Sequence, residues 1–217
     1  MERRHEVLRI ELQQMFTEVG VRFDMADLRV HTGIRDRLAT AGVFNSSGAL
    51  VQYSGAGRKR GNHEGADMLV HGLDVPGDET AIDVTVVSDR TASRVVPAAT
   101  PYSGTDAQLA ATLKGAEDIK FNRYSNMYSS INVKMMGVAM DLAGGIGPNL
   151  RALIKRCEFL SGFEVPLWAN WSSGPSFFSA WRQRIIVAVQ VKNAECATAT
   201  QYRSKDANAT WAAFGGY

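Results

Sequence analysis

An α/β fold, a mixed sheet with helices on both faces, is predicted by three observations on the sequence. Residues 3–19 place Val7, Leu8, Leu12, Met15, Phe16 and Val19 on one broad face at helical spacing. Two short apolar runs, residues 68–73 and 81–87, flank the turn-rich segment Asp74-Val75-Pro76-Gly77-Asp78-Glu79 and read as a β-hairpin. From residue 106 onward a helix, an apolar strand and two further helices alternate with turns. The order is helix, three strands, helix, strand, helix and a closing helix.

Taken in order, the first helix ends at Gly20, with His5 in its first turn. A lone histidine there reads first as a structural hydrogen-bonding residue. Residues 21–23 suggest a short strand, residues 24–38 a loop with partial helix, and residues 50–53 another strand. Residues 54–65, SGAGRKRGNHEG, form a Gly-rich loop carrying Arg58, Lys59 and Arg60 directly into Asp67. Such a loop is suited to phosphates, whose neutralisation gives sequence-independent affinity. After the hairpin, residues 89–104 are a connecting loop, and Thr105 or Asp106 can cap a helix over 106–124. Residues 132–140 read as a buried strand, 144–148 as a tight Gly-rich turn and 149–159 as a helix. That turn has no Gly-Lys-Ser/Thr, so it is not read as a phosphate loop. Residues 162–176 are turn-rich, with Trp168 and Trp171 packed as a cap or free to stack bases. Residues 177–197 form the last long helix, with Arg182 and Arg184 available for phosphate contacts.

The hairpin carries one acid per strand. Asp67 opens the first, and Asp83 lies mid-strand on the face opposite Ile82, Val84 and Val86. Aspartate is depleted in strands and costly to bury without a cation. Two carboxylates on neighbouring strands suit Mg²⁺ or Mn²⁺. The plainer reading is a turn cap at Asp67 and a lysine or arginine holding Asp83. In the following helix, Lys120, Arg123 and Tyr124 share one face. A cation beside a metal-bound phosphate can position water and stabilise developing charge.

The 217 residues, 45% of them hydrophobic, suffice for one well-buried domain, expected over residues 1–197 with 198–217 as a flexible tail. A net charge of +2 is too small to announce a nucleic-acid protein by composition, so local clusters carry that expectation. Cys157 and Cys196 lack CxxC or histidine-rich company, which excludes a zinc ribbon and a disulfide framework and points to a reducing, intracellular compartment. No run of eighteen apolar residues exists, so no membrane span is expected.

The series Ala66-Asp67, a turn, Ile82-Asp83-Val84-Thr85-Val86, then Lys120-x-x-Arg123-Tyr124 resembles the restriction-like endonucleases of the PD-(D/E)xK superfamily. It is most similar to the version found C-terminal to reverse transcriptases of non-LTR retrotransposons, in which the lysine moves from the strand to the next helix. Thr85 occupies the vacated position and Lys120 is the replacement. Arg4-His5, the stretch VAMDLAGGIGP with Asp141, and Asn193-Ala194 at the end of the basic helix extend the likeness over roughly residues 3–196. Ala66 stands where the family has proline, Asp141 where it more often has glutamate. A glutamate of the first helix assists the metal in some relatives, and Glu6 and Glu11 both qualify.

The resemblance implies an αβββαβ restriction-endonuclease-like core with an extra C-terminal helix. It implies a metal-dependent DNA endonuclease in which Asp67 and Asp83 hold Mg²⁺ or Mn²⁺ and Lys120 is catalytic. Arg123, Tyr124, Thr85, His5 and Asp141 are supporting residues; Arg58, Lys59, Arg60, Arg182 and Arg184 bind DNA. DNA is the expected partner, with a reverse transcriptase or a second copy as further partners, in the nucleus if the source is eukaryotic. Two other readings stand beside it: an inactive DNA-binding module and a structural interaction domain.

Overall fold

The structure, a computed structural model, describes residues 2–25, 32–43, 65–87, 106–162 and 176–214. Its elements are α1 (Glu2–Glu18), β1 (Phe23–Met25), α2 (Thr32–Thr40), β2 (Met68–His71), β3 (Glu79–Val87), α3 (Asp106–Ser129), β4 (Lys134–Asp141), α4 (Pro148–Leu160) and α5 (Phe177–Phe214). The four strands form one mixed sheet in the order β1-β2-β3-β4. β1, β2 and β3 run antiparallel, while β3 and β4 are parallel and joined through α3. This is the α/β class the sequence predicts.

The two-residue period of the strands divides the core in two. Met68, Val70, Ile82, Val84, Val138 and Met140 face α1, α4 and α5, packing on Leu8, Leu12, Leu153, Ile154, Trp181 and Ile185. Leu69 and Ala81 face the other way, onto Ile34 and Leu38 of α2 and Tyr124, Met127 and Tyr128 of α3. Asp83 shares that second face, beneath α3.

Several boundaries differ from the sequence expectation. β1 starts at Phe23 because the Val21 N–H closes α1 on the Phe16 carbonyl at 2.9 Å, leaving Phe23 to pack on the Phe16 ring. Buried Ile34 and Leu38, one turn apart, anchor the helical part of the segment expected to be loop with partial helix and carry it on to Thr40. α3 continues to Ser129 because Met127 and Tyr128 prolong its buried face; Asn132, at φ 58°, then turns the chain. α5 runs past Ala197 to Phe214, since no glycine or proline interrupts the chain before Gly215. The strand expected at 50–53 and the Trp168 and Trp171 segment lie outside the described residues.

β4 is an edge strand, and its outer backbone groups find partners beyond the sheet. The Asn149 side chain donates to the Gly137 carbonyl at 2.9 Å, the Gly147 N–H to the Ala139 carbonyl at 2.8 Å, and the Asp141 N–H to the Gly145 carbonyl at 2.9 Å. Glu117 of α3, fully buried, accepts from the Asn149 N–H at 3.1 Å and the Leu150 N–H at 3.3 Å. Its carboxylate thereby caps the N-terminus of α4, where backbone donors and helix dipole favour an anion. Gly147 makes the approach possible: a Cβ there would meet Glu117 Oε1 at 2.2 Å.

Candidate metal and catalytic site

Three elements bring the two aspartates and the lysine together. Asp67 follows Gly65, whose φ of 74° turns the chain into β2, and the Asp67 N–H donates to the Ile82 carbonyl at 2.9 Å. That bond registers Asp67 beside β3. Asp83 sits mid-strand and pairs with Gly137 of β4 in the parallel ladder. Gly137 decides how close α3 can come, because a Cβ there would lie 2.3 Å from the Glu117 carbonyl oxygen and 2.8 Å from Lys120 Cβ. With no side chain in the way, Lys120 Nζ reaches Asp83 Oδ1 at 3.1 Å.

His5 comes from α1. Its Nε2 lies 2.8 Å from Asp67 Oδ2, and the same oxygen accepts the Val84 N–H at 2.7 Å. One ligand atom from each of His5, Asp67 and Asp83 falls within 4.8 Å of the others. His5 thus makes a hydrogen bond, and its partner is a candidate metal ligand. Asp83 Oδ2 is fully buried and meets no donor among the described residues; only a protonated Asp83 can bond there, by donating to the Asp67 carboxylate.

The electrostatics follow from this placement. Burial pushes the Asp83 carboxyl up to about 7; the nearby Lys120 ammonium works against that and the Asp67 charge adds to it. Burial pushes Asp67 upward too, but the His5 hydrogen bond, its charge and the Val84 N–H together hold it below the usual carboxylate range. His5 is raised, chiefly by its hydrogen bond to Asp67, against the opposing effect of burial. The two acids are thus driven apart, one ionised readily and one reluctantly.

The donor set fits a divalent cation. Two carboxylates and an imidazole converge, and the orphaned Asp83 Oδ2 lacks the partner that a buried carboxylate oxygen requires. Lys120 lies at the solvent-facing rim of the group, with about a quarter of its side chain exposed and its ammonium 3.1 Å from Asp83 Oδ1.

The supporting residues distribute unevenly. Tyr124 is buried in the second core cluster, and Arg123 is exposed with its guanidinium 5.1 Å from the Tyr124 ring centre. Thr85, half-buried, lies on the Asp83 face one pair further along β3. Asp141 pairs with Val87, four positions along the ladder from the Asp83 pair, on the order of 13 Å away. Its Oδ1 accepts the Gly145 N–H at 2.8 Å, so it closes the Gly-rich turn and does not join the acidic pair. Arg184 binds Glu11 at 2.7 Å, contacts Gln14 and covers the Trp181 ring, tying α5 to α1. Arg182 is exposed on α5. Of the two α1 glutamates, Glu6 pairs with Arg9 and Glu11 with Arg184. Arg58, Lys59 and Arg60 lie outside the described residues.

One further residue belongs to the site's support. Tyr128, fully buried, accepts the Ala66 N–H on its phenolic oxygen at 2.8 Å and so fixes the backbone immediately before Asp67. It follows Lys120 and Tyr124 at intervals of four, which places all three on one helix face.

Comparison with known proteins gives no match: no family model, no curated protein and no solved structure matches this chain. Among the described residues, no helix is long and apolar enough to cross a membrane.

Proposed function

We propose that the chain is a metal-dependent DNA endonuclease with a restriction-endonuclease-like core, similar to the PD-(D/E)xK domains of non-LTR retroelements. The observation that carries this reading is the incomplete coordination of Asp83. One of its oxygens meets Lys120, and the other is buried beside the Asp67 and His5 group with no partner among the described residues. Asp67 and Asp83 would hold Mg²⁺ or Mn²⁺. When bound, such an ion supplies Lewis-acid polarisation of a phosphodiester and an acidified water.

The protein's own side chains do the rest. Val84 N–H and His5 orient the Asp67 carboxylate through Oδ2, leaving Oδ1 for another ligand. Lys120 is held at the rim by Asp83, close to where negative charge develops on the phosphoryl oxygens, and its ammonium stabilises that charge. Arg58, Lys59 and Arg60 contribute backbone contacts to DNA under this reading, and exposed Arg123 and Arg182 add to them. Nicking of a target strand would supply a 3′ end to a reverse transcriptase, the partner that the resemblance implies; a second copy would be needed to cut both strands together.

A second reading has its own observation. The Asp83–Lys120 ion pair and the His5–Asp67 hydrogen bond could form a purely structural polar network, in an inactive DNA-binding module or an interaction domain. Incubating supercoiled plasmid with the protein in Mg²⁺, Mn²⁺ or EDTA, alongside Asp83→Ala and Lys120→Ala, separates the two. The proposed nuclease nicks only with metal and loses activity in both variants. Well-folded protein that binds DNA but cuts with neither metal would replace it with the inactive module.

A further inference from the structure

We propose that His5 is a third, nitrogen ligand of the metal site, and that it biases the site toward first-row transition ions such as Mn²⁺ over Mg²⁺. The inference rests on the metal-site reading above and adds a ligand and a selectivity to it. Leu8 and Leu12, fully buried on the same helix, seat α1 against the sheet, and His5 lies one turn before Leu8. Its Nε2 therefore comes from the fixed body of the fold and not from a loop.

The distances suit shared coordination. Donors at roughly 2.0–2.2 Å from one ion lie about 3 Å apart when adjacent and about 4.3 Å apart when opposite. His5 Nε2 and Asp67 Oδ2 are 2.8 Å apart, and the whole three-residue group spans no more than 4.8 Å. A contraction of a few tenths of an ångström brings all three onto one ion. Lys120 occupies Asp83 Oδ1 and the Val84 N–H donates to Asp67 Oδ2, while ligation replaces the His5 Nε2···Asp67 Oδ2 hydrogen bond: the imidazole binds as the neutral Nδ1–H tautomer, with the ion where the Nε2 proton would be. Asp83 Oδ2, Asp67 and the imidazole remain to face the ion, with water or phosphate completing the shell.

Selectivity follows from the donor type. Mg²⁺ favours an all-oxygen octahedron and sheds water reluctantly, so an imidazole gains it little. Transition ions bind imidazole increasingly well along the series from Mn²⁺ to Cu²⁺.

The test uses the full chain, stripped of metal, titrated calorimetrically with Mn²⁺ and with Mg²⁺, as wild type, His5→Ala and His5→Gln. Wild type is expected to bind Mn²⁺ about tenfold or more tighter than Mg²⁺. His5→Ala should lose at least the roughly 10–100-fold that removing even an outer-shell partner costs, and lose it for Mn²⁺ far more than for Mg²⁺. Pulsed EPR of the Mn²⁺-loaded protein should show the ¹⁴N coupling of a directly bound imidazole, absent from both variants. His5→Gln retains a hydrogen-bonding amide and carries the comparison should His5→Ala fail to melt cooperatively in EDTA. Equal losses for both ions with no ¹⁴N coupling would make His5 a positioning residue for Asp67 and overturn the inference while leaving the metal site intact. Wild type that binds neither ion would overturn the metal site itself.

Discussion

Replacing Asp83 with asparagine separates a metal site from a structural ion pair through stability alone. Raising a carboxyl from 3.8 to about 7 corresponds, at 1.36 kcal/mol per pH unit, to at most about 4 kcal/mol. Because the folded value lies above the unfolded one, the native protein holds the extra proton between those limits. Asp83's contribution to stability is therefore complete below about pH 4 and is lost as pH rises through about 7. The amide in Asp83→Asn cannot ionise and escapes that loss. Lys120 gives up its partner but keeps access to water, with 23% of its side chain exposed, so the broken pair costs little. Urea denaturation in EDTA from pH 5 to 8.5 should show wild-type stability falling with pH more steeply than that of Asp83→Asn. Above pH 8 the variant should be the more stable, by up to about 4 kcal/mol. Adding Mn²⁺ at about 100 times its Kd should then stabilise wild type by about 2.7 kcal/mol and the variant by much less. A variant less stable than wild type by about 3–5 kcal/mol at pH 8, with no difference in slope, would refute the reasoning: Asp83 would be half of a buried structural pair.

Other expectations follow from the same geometry. Lys120→Ala should lower plasmid nicking by about 10²–10³, the usual scale for losing one preorganised charge-stabilising group, while gel-shift affinity for DNA stays unchanged. Gly137→Ala forces α3 off β4 at the Glu117 carbonyl and Lys120, and should cost about 1–3 kcal/mol in thermal denaturation together with a loss of nicking. Glu117→Ala strands the N–H groups of Asn149 and Leu150 and should cost about 2–6 kcal/mol, at about 1–3 kcal/mol for each unpaired donor; Glu117→Gln, which keeps an acceptor oxygen, should cost less than half of that. Replacing Arg58, Lys59 and Arg60 together by alanine should reduce the slope of log affinity against log salt by about 3 if each meets one phosphate, and a slope unchanged from wild type would remove these three residues from the interface.

What can be read in the sequence is what depends on short range. The hairpin is legible because turn residues separate two apolar runs, and Asp83 stands out because an acid sits badly in such a strand. The covering helix is legible as well, and Tyr124, one of the expected supporting residues, is buried in the core beneath it. The contact of His5 with Asp67 spans 62 positions, and nothing local announces it. Glu117 lies between Ala116 and Asp118, where a carboxylate looks like ordinary helix surface; only the missing side chain at Gly147 lets it reach the end of α4. Tyr128 escapes notice with the last turn of α3, which lies beyond the expected end at 124. Asp141 is legible, and its described contact is local: an aspartate four residues before Gly145 at the end of a strand is a turn-former in its own right.

Three buried carboxylates lie around this sheet among the described residues, and the fold treats them differently. Glu117 is met by backbone N–H groups at the start of α4, and Asp141 by the Gly145 N–H of its own turn. Each is satisfied by donors that cannot move away, with a glycine clearing space for the approach. Asp83 has a flexible lysine on one oxygen and no described donor on the other, and the space Gly137 leaves beside it is taken by the α3 backbone and Lys120. A network selected only to hold the fold together would gain from supplying a donor to Asp83 Oδ2, or from replacing the acid with an apolar residue, since a half-satisfied buried carboxylate is worse than none. Its place beside Asp67 and His5 is consistent with the proposed site, in which a cation would supply the missing partner. The unstable acid and the proposed chemistry then have a single cause, and that is why the stability of Asp83→Asn in EDTA bears on function before any DNA is cut.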